Sequence, residues 1–151
     1  MTKPNTNPAY RSVEDQVRQF GSVRTAHQSE MVEDYVELIA DLIQLHGSAR
    51  PKDIAERLGV AQPTVTKNLA RLKREDLIVH EPYRSILLTE EGRQLAASCR
   101  KRHRTVAEFL VALGVSSEIA EHDAEGIEHH VSEETLRVFE TFTNKQNGKH
   151  N

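Results

Sequence analysis

The sequence is poor in the residues that mark several common classes of protein. It has 1 cysteine and no tryptophan, and aromatic side chains make up 5% of its 151 residues. The single cysteine, Cys99, excludes an internal disulfide and agrees with a reducing cytoplasm. No apolar run approaches the roughly 20 residues of a transmembrane helix, and no signal-peptide core follows Met1. We therefore expect a cytoplasmic protein that does not contact membranes.

Charge is distributed unevenly along the chain. The net charge is −3, which by itself gives no indication of nucleic-acid binding. Bases are concentrated between positions 50 and 74, at Arg50, Lys52, Arg57, Lys67, Arg71, Lys73 and Arg74. Positions 117 to 134 contain no lysine or arginine but many acids, at Glu118, Glu121, Asp123, Glu125, Glu128, Glu133 and Glu134. A basic half and an acidic half indicate two roles in one chain.

Apolar periodicity predicts a mainly α protein. After a polar tail of about twelve residues, a short helix through Val13, Val17 and Phe20 precedes a longer helix from about position 28 to 45. A long helix should follow Thr89 and end near Gly114, with an apolar stripe that runs to Leu113. Two further helices are expected after serine caps.

The middle of the chain has the order of a winged helix-turn-helix. In DIAERLGVAQPTVTKNLARL, an apolar-faced helix, a turn at Gly59 and a second helix opening at Gln62 and Pro63 follow one another. Two short β-type runs then flank residues 81–85, which predicts a hairpin wing. The alternative is an ordinary helical hairpin in a core.

If the second helix enters a major groove of DNA, its first residues reach base edges or phosphates. The candidate DNA-contacting residues there are Gln62, Pro63, Thr64, Thr66 and Lys67. Arg84 at the wing tip is a candidate for a minor-groove or backbone contact. The bases further along the helix are expected to contact phosphates or solvent.

The segment DAEGIEHHVS contains a compact set of metal-ligand types. Glu125, Glu128 and His129 stand at i, i+3 and i+4, so they share one side of a helix, whereas His130 points about 100° away. Gly126 costs about 1 kcal/mol there relative to alanine, which suggests close approach to the backbone or an accessible carbonyl. Taken alone, the segment is more typical of a charged solvent face than of a metal site.

Three further residues raise the case for a metal site. His103 lies on the inward stripe of the long helix, and Asp34 and Glu37 are spaced i, i+3 near the start of an earlier helix. Each has an ordinary explanation, as a core histidine or as acids near a helix start. Together the two sets contain four carboxylates and two imidazoles, enough for two divalent ions. Oxygen and nitrogen donors without thiolate favour Mn²⁺ or Fe²⁺.

The order of these elements resembles the diphtheria toxin repressor family of metal-dependent regulators, and most closely its manganese transport branch. The resemblance covers about residues 30 to 143 and includes the metal motif. In that branch a binuclear manganese site is built from residue types matched here by Asp34, Glu37, His103, Glu125, Glu128 and His129. The iron-sensing branch has methionine and cysteine at the positions of Asp34 and Glu125, so the oxygen ligands here favour manganese.

The resemblance implies a homodimeric repressor of manganese uptake genes that binds double-stranded operator DNA. Mn²⁺, two ions per subunit with Fe²⁺ as an alternative, is the expected corepressor. The expected domains are an N-terminal extension, partly disordered (1–27), a winged helix-turn-helix (28–92), a helical metal-binding and dimerisation domain (93–146) and a tail (147–151). The extra C-terminal domain of larger family members is expected to be missing.

Two other functions are compatible with parts of the sequence. A carboxylate and histidine di-metal site could belong to a four-helix oxidase, although only one Glu-x-x-His-like motif is present. A winged-helix regulator could instead respond to a small organic ligand, with the acidic segment lying on the surface. Loss of DNA binding on mutation of Asp34 or His129 would separate the metal sensor from this last alternative.

Overall fold

The computed structural model describes residues 11–148. Within them the chain forms helices and one small hairpin, in the order α1 (Val13–His46), α2 (Pro51–Leu58), α3 (Gln62–Arg74), β1 (Ile78–Val79), β2 (Leu87–Leu88), α4 (Glu90–Leu113), α5 (Ser117–Ile127), a 3-10 turn (Glu128–His130) and α6 (Glu133–Asn147). The prediction of a mainly α protein is confirmed. No helix of this described part is both long enough and apolar enough to cross a membrane.

The two helices expected before position 46 are a single helix of 34 residues, so that prediction was wrong. The side chain of Ser12 caps α1 by accepting a hydrogen bond from the backbone N–H of Asp15 at 3.1 Å. No proline interrupts the following residues, and Gly21 alone does not break the helix. The part of the extension from Val13 on is therefore helical and largely exposed, whereas most of the expected loose tail lies outside the described residues.

The continuous helix also changes the position of two candidate ligands. Asp34 and Glu37 lie in the middle of α1, more than five turns from its first residue. The positive end of the helix dipole acts only over the first turn. A helix-dipole role therefore does not account for these acids.

The winged helix-turn-helix is present as predicted. Pro51 opens α2, and Gly59 ends it with a φ of 66°, a left-handed conformation that glycine adopts readily. The two helices face one another through buried side chains, namely Ile54, Ala55, Val65, Leu69 and Leu72. In the wing, Ile78 pairs with Leu88 and Val79 with Leu87 in an antiparallel register.

The C-terminal half is built on α4. The hydroxyl of Thr89 caps this helix by accepting from the backbone N–H of Gly92 at 3.0 Å, and Gly114 ends it with a φ of 108°. Cys99 and Val106 of the expected apolar stripe are buried and Leu95 is partly buried, but Leu113 is 55% exposed. Ser132 then caps α6, as predicted, by accepting from the N–H of Thr135.

The buried side chains form two cores that α4 joins. The first core contains side chains of α1, α2, α3 and the hairpin together with Ala96. The second core contains Val106, Ala107, Ala124 and Leu136, from α4, α5 and α6. Because α1 packs along α4, the DNA-binding elements and the acidic elements meet at this helix pair.

Candidate metal centre

The acidic segment changes from an α-helix to a 3-10 turn just before the residues that contact α1. We expected Glu125, Glu128 and His129 on one regular helix, but α5 ends at Ile127 and residues 128 to 130 form a 3-10 turn. The tighter turn directs these side chains differently from the regular 100° step. Glu125 remains largely exposed, whereas the side chains of Glu128 and His129 are only 1% and 2% exposed.

One group of donors surrounds His103 on α4. Its Nδ1 atom lies 3.5 Å from an oxygen of Glu125 and 3.6 Å from an oxygen of Glu128. Donor atoms of these three residues all lie within 4.8 Å of one another. This is the span that a single metal ion requires, since its bonds to carboxylate and imidazole are each about 2 Å long.

A second group surrounds His129 at the surface of α1. Its Nε2 atom lies 3.2 Å from Asp34 Oδ1 and 3.5 Å from the other oxygen of Glu128. Glu30, which the sequence analysis did not single out, has a donor within 4.8 Å of those of Asp34 and His129. Ligand types from both halves of the chain therefore converge here.

Glu128 lies between the two groups and gives the clearest indication of a cation. Both of its carboxylate oxygens are buried without a hydrogen-bond partner. Burial is the main cause that raises the pKa of Glu128 to about 7, and the charge of Glu37 adds to it. Since burial of a carboxylate without hydrogen bonds is costly, Glu128 is a residue that would hold a cation, whose positive charge would offset that cost.

Glu37 lies close to this site without belonging to either group. Burial raises the pKa of its carboxyl, and so do the charges of Glu125 and Asp34. The positive charge of His129 and a hydrogen bond with Cys99 act in the opposite direction. Its charge therefore acts on the ligand candidates, but within the described residues it contributes no donor to a three-residue cluster.

Two partners of the site were missed from the sequence. Glu33 accepts a hydrogen bond from Nδ1 of His129 at 2.7 Å and pairs with Arg102 at 2.6 Å. Hydrogen bonds to Asp34 and Glu33 raise the pKa of His129 to about 10. The position of Glu33 next to Val32, on the inward side of α1, is the sequence signal that could have identified it. Glu121 was also missed, and its carboxylate lies 2.6 Å from Nε2 of His103.

The candidate DNA-contacting residues form one exposed end of α3. Gln62, Pro63, Thr64, Thr66 and Lys67 are all exposed. The hydroxyl of Thr66 donates to the carbonyl of Gln62 at 3.1 Å, so its orientation is already fixed. In the wing, the side chain of Arg84 is 78% exposed and lies 3.3 Å from Glu81. These residues are accessible to a phosphate backbone and to base edges.

Two family profiles match most of the chain. The iron dependent repressor, N-terminal DNA binding domain matches residues 27–86, and the iron dependent repressor, metal binding and dimerisation domain matches residues 89–147. The boundary between them coincides with the start of α4. Both profiles belong to transcriptional regulators, so the hypothesis of a di-metal oxidase is set aside.

Several named relatives are similar over most of their length. A transcriptional regulator MntR of Escherichia coli O6:H1 is 55% identical over 138 residues, which cover 91% of this chain and 89% of the relative. That of Salmonella typhimurium is 54% identical, over 87% of this chain and 84% of the relative. The HTH-type transcriptional regulator MntR of Listeria welshimeri is 42% identical, over 67% of this chain and 71% of the relative.

Solved structures support the same assignment. The manganese regulator SloR is 32% identical with a TM-score of 0.65, and a manganese-dependent transcriptional repressor in complex with manganese is 28% identical with a TM-score of 0.67. Each match covers 75% of this chain but only 53% and 52% of the two structures, so the chain spans about half of their length. The chain belongs to the diphtheria toxin repressor family of metal-dependent transcriptional regulators, in its MntR branch.

Proposed function

We propose that this chain is a manganese-responsive transcriptional repressor that binds operator DNA as a homodimer and regulates manganese uptake genes. The observation that carries the proposal is the position of Glu128, whose buried and unpartnered oxygens lie between ligand candidates of two chain segments. The relatives named as MntR regulators support the biological role. A regulator of this kind acts in the cytoplasm, where it meets its DNA.

The proposed ligands are Asp34, Glu37, His103, Glu125, Glu128 and His129, which would hold two Mn²⁺ ions per subunit. When bound, the ions supply positive charge that offsets the repulsion among the four carboxylates. The donors are oxygen and imidazole nitrogen, with no thiolate among them, which suits Mn²⁺ and also accommodates Fe²⁺. Cys99 is buried, and burial raises the pKa of its thiol to about 12, which disfavours the thiolate in the metal-free protein.

The ligands connect the elements that must move together for DNA binding. Asp34 and Glu37 lie on α1, which packs in the same core as α2 and α3. His103 lies on α4, and the other three proposed ligands lie at the end of α5 and in the 3-10 turn. Closure of the site therefore fixes α1 against the dimerisation half, and it thereby limits the orientations available to α3.

In a dimer this restriction selects one spacing between the α3 helices of the two subunits, which are the helices that would enter the major groove. Two helices that enter successive major grooves on one face of DNA are about 34 Å apart. A protein that samples several spacings without metal binds the operator less tightly, because only a fraction of it is competent. The residues of α3 that would contact bases or phosphates are Gln62, Thr64, Thr66 and Lys67, and Pro63 lies in the first turn of that helix. Arg84 would contact the minor groove or the DNA backbone from the wing.

Operator binding measured by gel shift against controlled free Mn²⁺ tests the proposal. We expect operator affinity to rise with Mn²⁺ and His129→Ala to abolish that rise. His122→Ala, which removes an exposed imidazole of α5 outside the site, should behave as the wild type. Because the coupling is reciprocal, operator DNA should tighten Mn²⁺ binding by the same factor. Operator binding by the wild type that is independent of metal would refute the proposal.

A further inference from the structure

A third cluster of metal-ligand types lies beside the proposed manganese site and shares no proposed ligand with it. His27 and Glu30 lie on α1, and His130 lies at the end of the 3-10 turn. Donor atoms of the three side chains all lie within 4.8 Å of one another. Nε2 of His130 is 3.4 Å from a carboxylate oxygen of Glu30. The rings of His27 and His130 meet edge to face, with centroids 5.3 Å apart.

Local geometry explains why three residues from distant parts of the chain meet. His27 and Glu30 are spaced i, i+3, so they project from neighbouring points on one face of α1. His130 follows His129, and adjacent residues of a turn point in different directions. His129 faces Glu33 and Asp34 of α1, and His130 therefore faces the preceding turn of α1, where Glu30 lies.

The chemistry of this cluster differs from that of the proposed manganese site. It has two imidazoles and one carboxylate, whereas the proposed manganese ligands include four carboxylates. Among the described residues, the ion pair of Glu30 is with His130 and not with a lysine or arginine. Three protein ligands that leave positions open to water are an ordinary coordination for zinc, and imidazole favours zinc over manganese.

We propose that His27, Glu30 and His130 form an auxiliary site for a borderline divalent cation such as Zn²⁺. The site fastens the upstream part of α1 to the turn that carries Glu128 and His129. Glu30 also has a donor close to those of Asp34 and His129, so it lies between the auxiliary site and the proposed manganese site. His27 is the last residue of the expected N-terminal extension, so the proposed site gives a role to that end of the extension.

Zinc stoichiometry tests this site separately from manganese activation. The full-length protein is dialysed against Zn²⁺ in the presence of a competing chelator, and bound zinc per subunit is measured. We expect His27→Ala and His130→Ala each to bind one equivalent less than the wild type. Gln28→Ala and His122→Ala are the matched controls, since both change an exposed side chain outside the cluster. Glu125→Ala, which alters only the proposed manganese site, should retain the auxiliary equivalent.

A second measurement reports the coordination itself. Co²⁺ in place of Zn²⁺ should give visible absorption bands, and the part due to the auxiliary site should disappear in His27→Ala while Mn²⁺-dependent operator binding persists. Equal zinc binding by the wild type and both histidine variants would overturn the proposal. An equal loss in His122→Ala would overturn it as well, since the binding would then be adventitious. Neither result depends on whether manganese activates the protein.

Discussion

The Nδ1 atom of His129 lies 2.7 Å from a carboxylate oxygen of Glu33, and that oxygen also lies 2.6 Å from Arg102. Donation of the Nδ1 hydrogen to Glu33 leaves Nε2 on the side of Asp34, at 3.2 Å. A carboxylate behind a histidine ligand fixes its tautomer and the orientation of its ring. Glu33 is therefore a positioning residue for the proposed ligand His129.

Replacement of Glu33 by glutamine should weaken Mn²⁺ binding without abolishing it. We expect a loss of about 10-fold to 100-fold in affinity, because the amide orients the ring less strongly than a carboxylate. Free Mn²⁺ measured by electron paramagnetic resonance during titration gives the affinity. At saturating Mn²⁺ the variant should bind operator DNA as the wild type does. Glu118→Gln, an exposed change in α5, is the control, and an unchanged affinity in Glu33→Gln would contradict the positioning role.

Glu128→Gln should have opposite effects on stability with and without metal. In the metal-free protein the pKa of Glu128 is raised to about 7 from 4.5, so ionisation destabilises the fold as pH rises through this interval. Glutamine removes that cost, and we expect the free energy of unfolding at pH 8 to increase by about 1–3 kcal/mol. The difference should vanish below the unfolded pKa, near pH 4. Urea unfolding in a chelator at both pH values measures it.

With Mn²⁺ present, the wild type should have a higher free energy of unfolding than Glu128→Gln. Binding to the folded state alone stabilises the wild type by about 4.1 kcal/mol when the free ion is about 1,000 times its dissociation constant, which exceeds the advantage of the metal-free variant. The variant lacks the buried carboxylate that would hold the ion, so it should gain little from Mn²⁺. Glu125→Gln is the matched control, because its side chain is 69% exposed and its removal should weaken metal binding without stabilising the metal-free protein. A metal-free Glu128→Gln that is less stable than the wild type at pH 8 would contradict the account.

The parts of the fold that depend on local signals were predicted well. The winged helix-turn-helix could be predicted because its boundaries depend on local residues. Pro51 begins α2, Gly59 ends it, and the hairpin is formed by residues close together in the sequence. The long α1 was not predicted, because its exposed upstream half is weakly amphipathic and a gap in the apolar pattern resembled a loop. That half is stabilised by continuity with the buried downstream half, which a local pattern does not reveal.

The candidate site was predicted by residue type more than by geometry. A regular helix was assumed through His129, whereas the chain tightens into a 3-10 turn at Glu128. Glu33 and Glu121 were missed because their roles depend on how α1 and α5 approach α4. Such contacts join residues that are distant in sequence, and no spacing rule within one helix predicts them.

Lys67→Ala should weaken operator binding in a manner that depends on salt. Lys67 is exposed near the start of α3, where a lysine contacts phosphate and displaces condensed counterions. We expect the plot of log affinity against log salt concentration to become less steep, by about one unit of slope for each subunit. The loss of affinity should be nearly equal on specific and unrelated DNA. Fluorescence anisotropy at several salt concentrations measures the slope. Lys145→Ala, at the far end of α6, should leave the slope unchanged.

Gly126 and Gly92 should respond in opposite ways to alanine. Close approach to the backbone was one of two explanations for Gly126, and the structure contradicts it, because an added Cβ would meet nothing within 4 Å. At Gly92 the Cβ would lie 2.1 Å from the carbonyl oxygen of Leu77. Gly126→Ala should therefore raise the free energy of unfolding by about 0.5–1 kcal/mol through helix propensity. Gly92→Ala should lower it by about 1–3 kcal/mol or more, because the α4 start must move away from the wing. Urea unfolding of both variants in a chelator compares them, and a destabilised Gly126→Ala would mean that its backbone freedom is required.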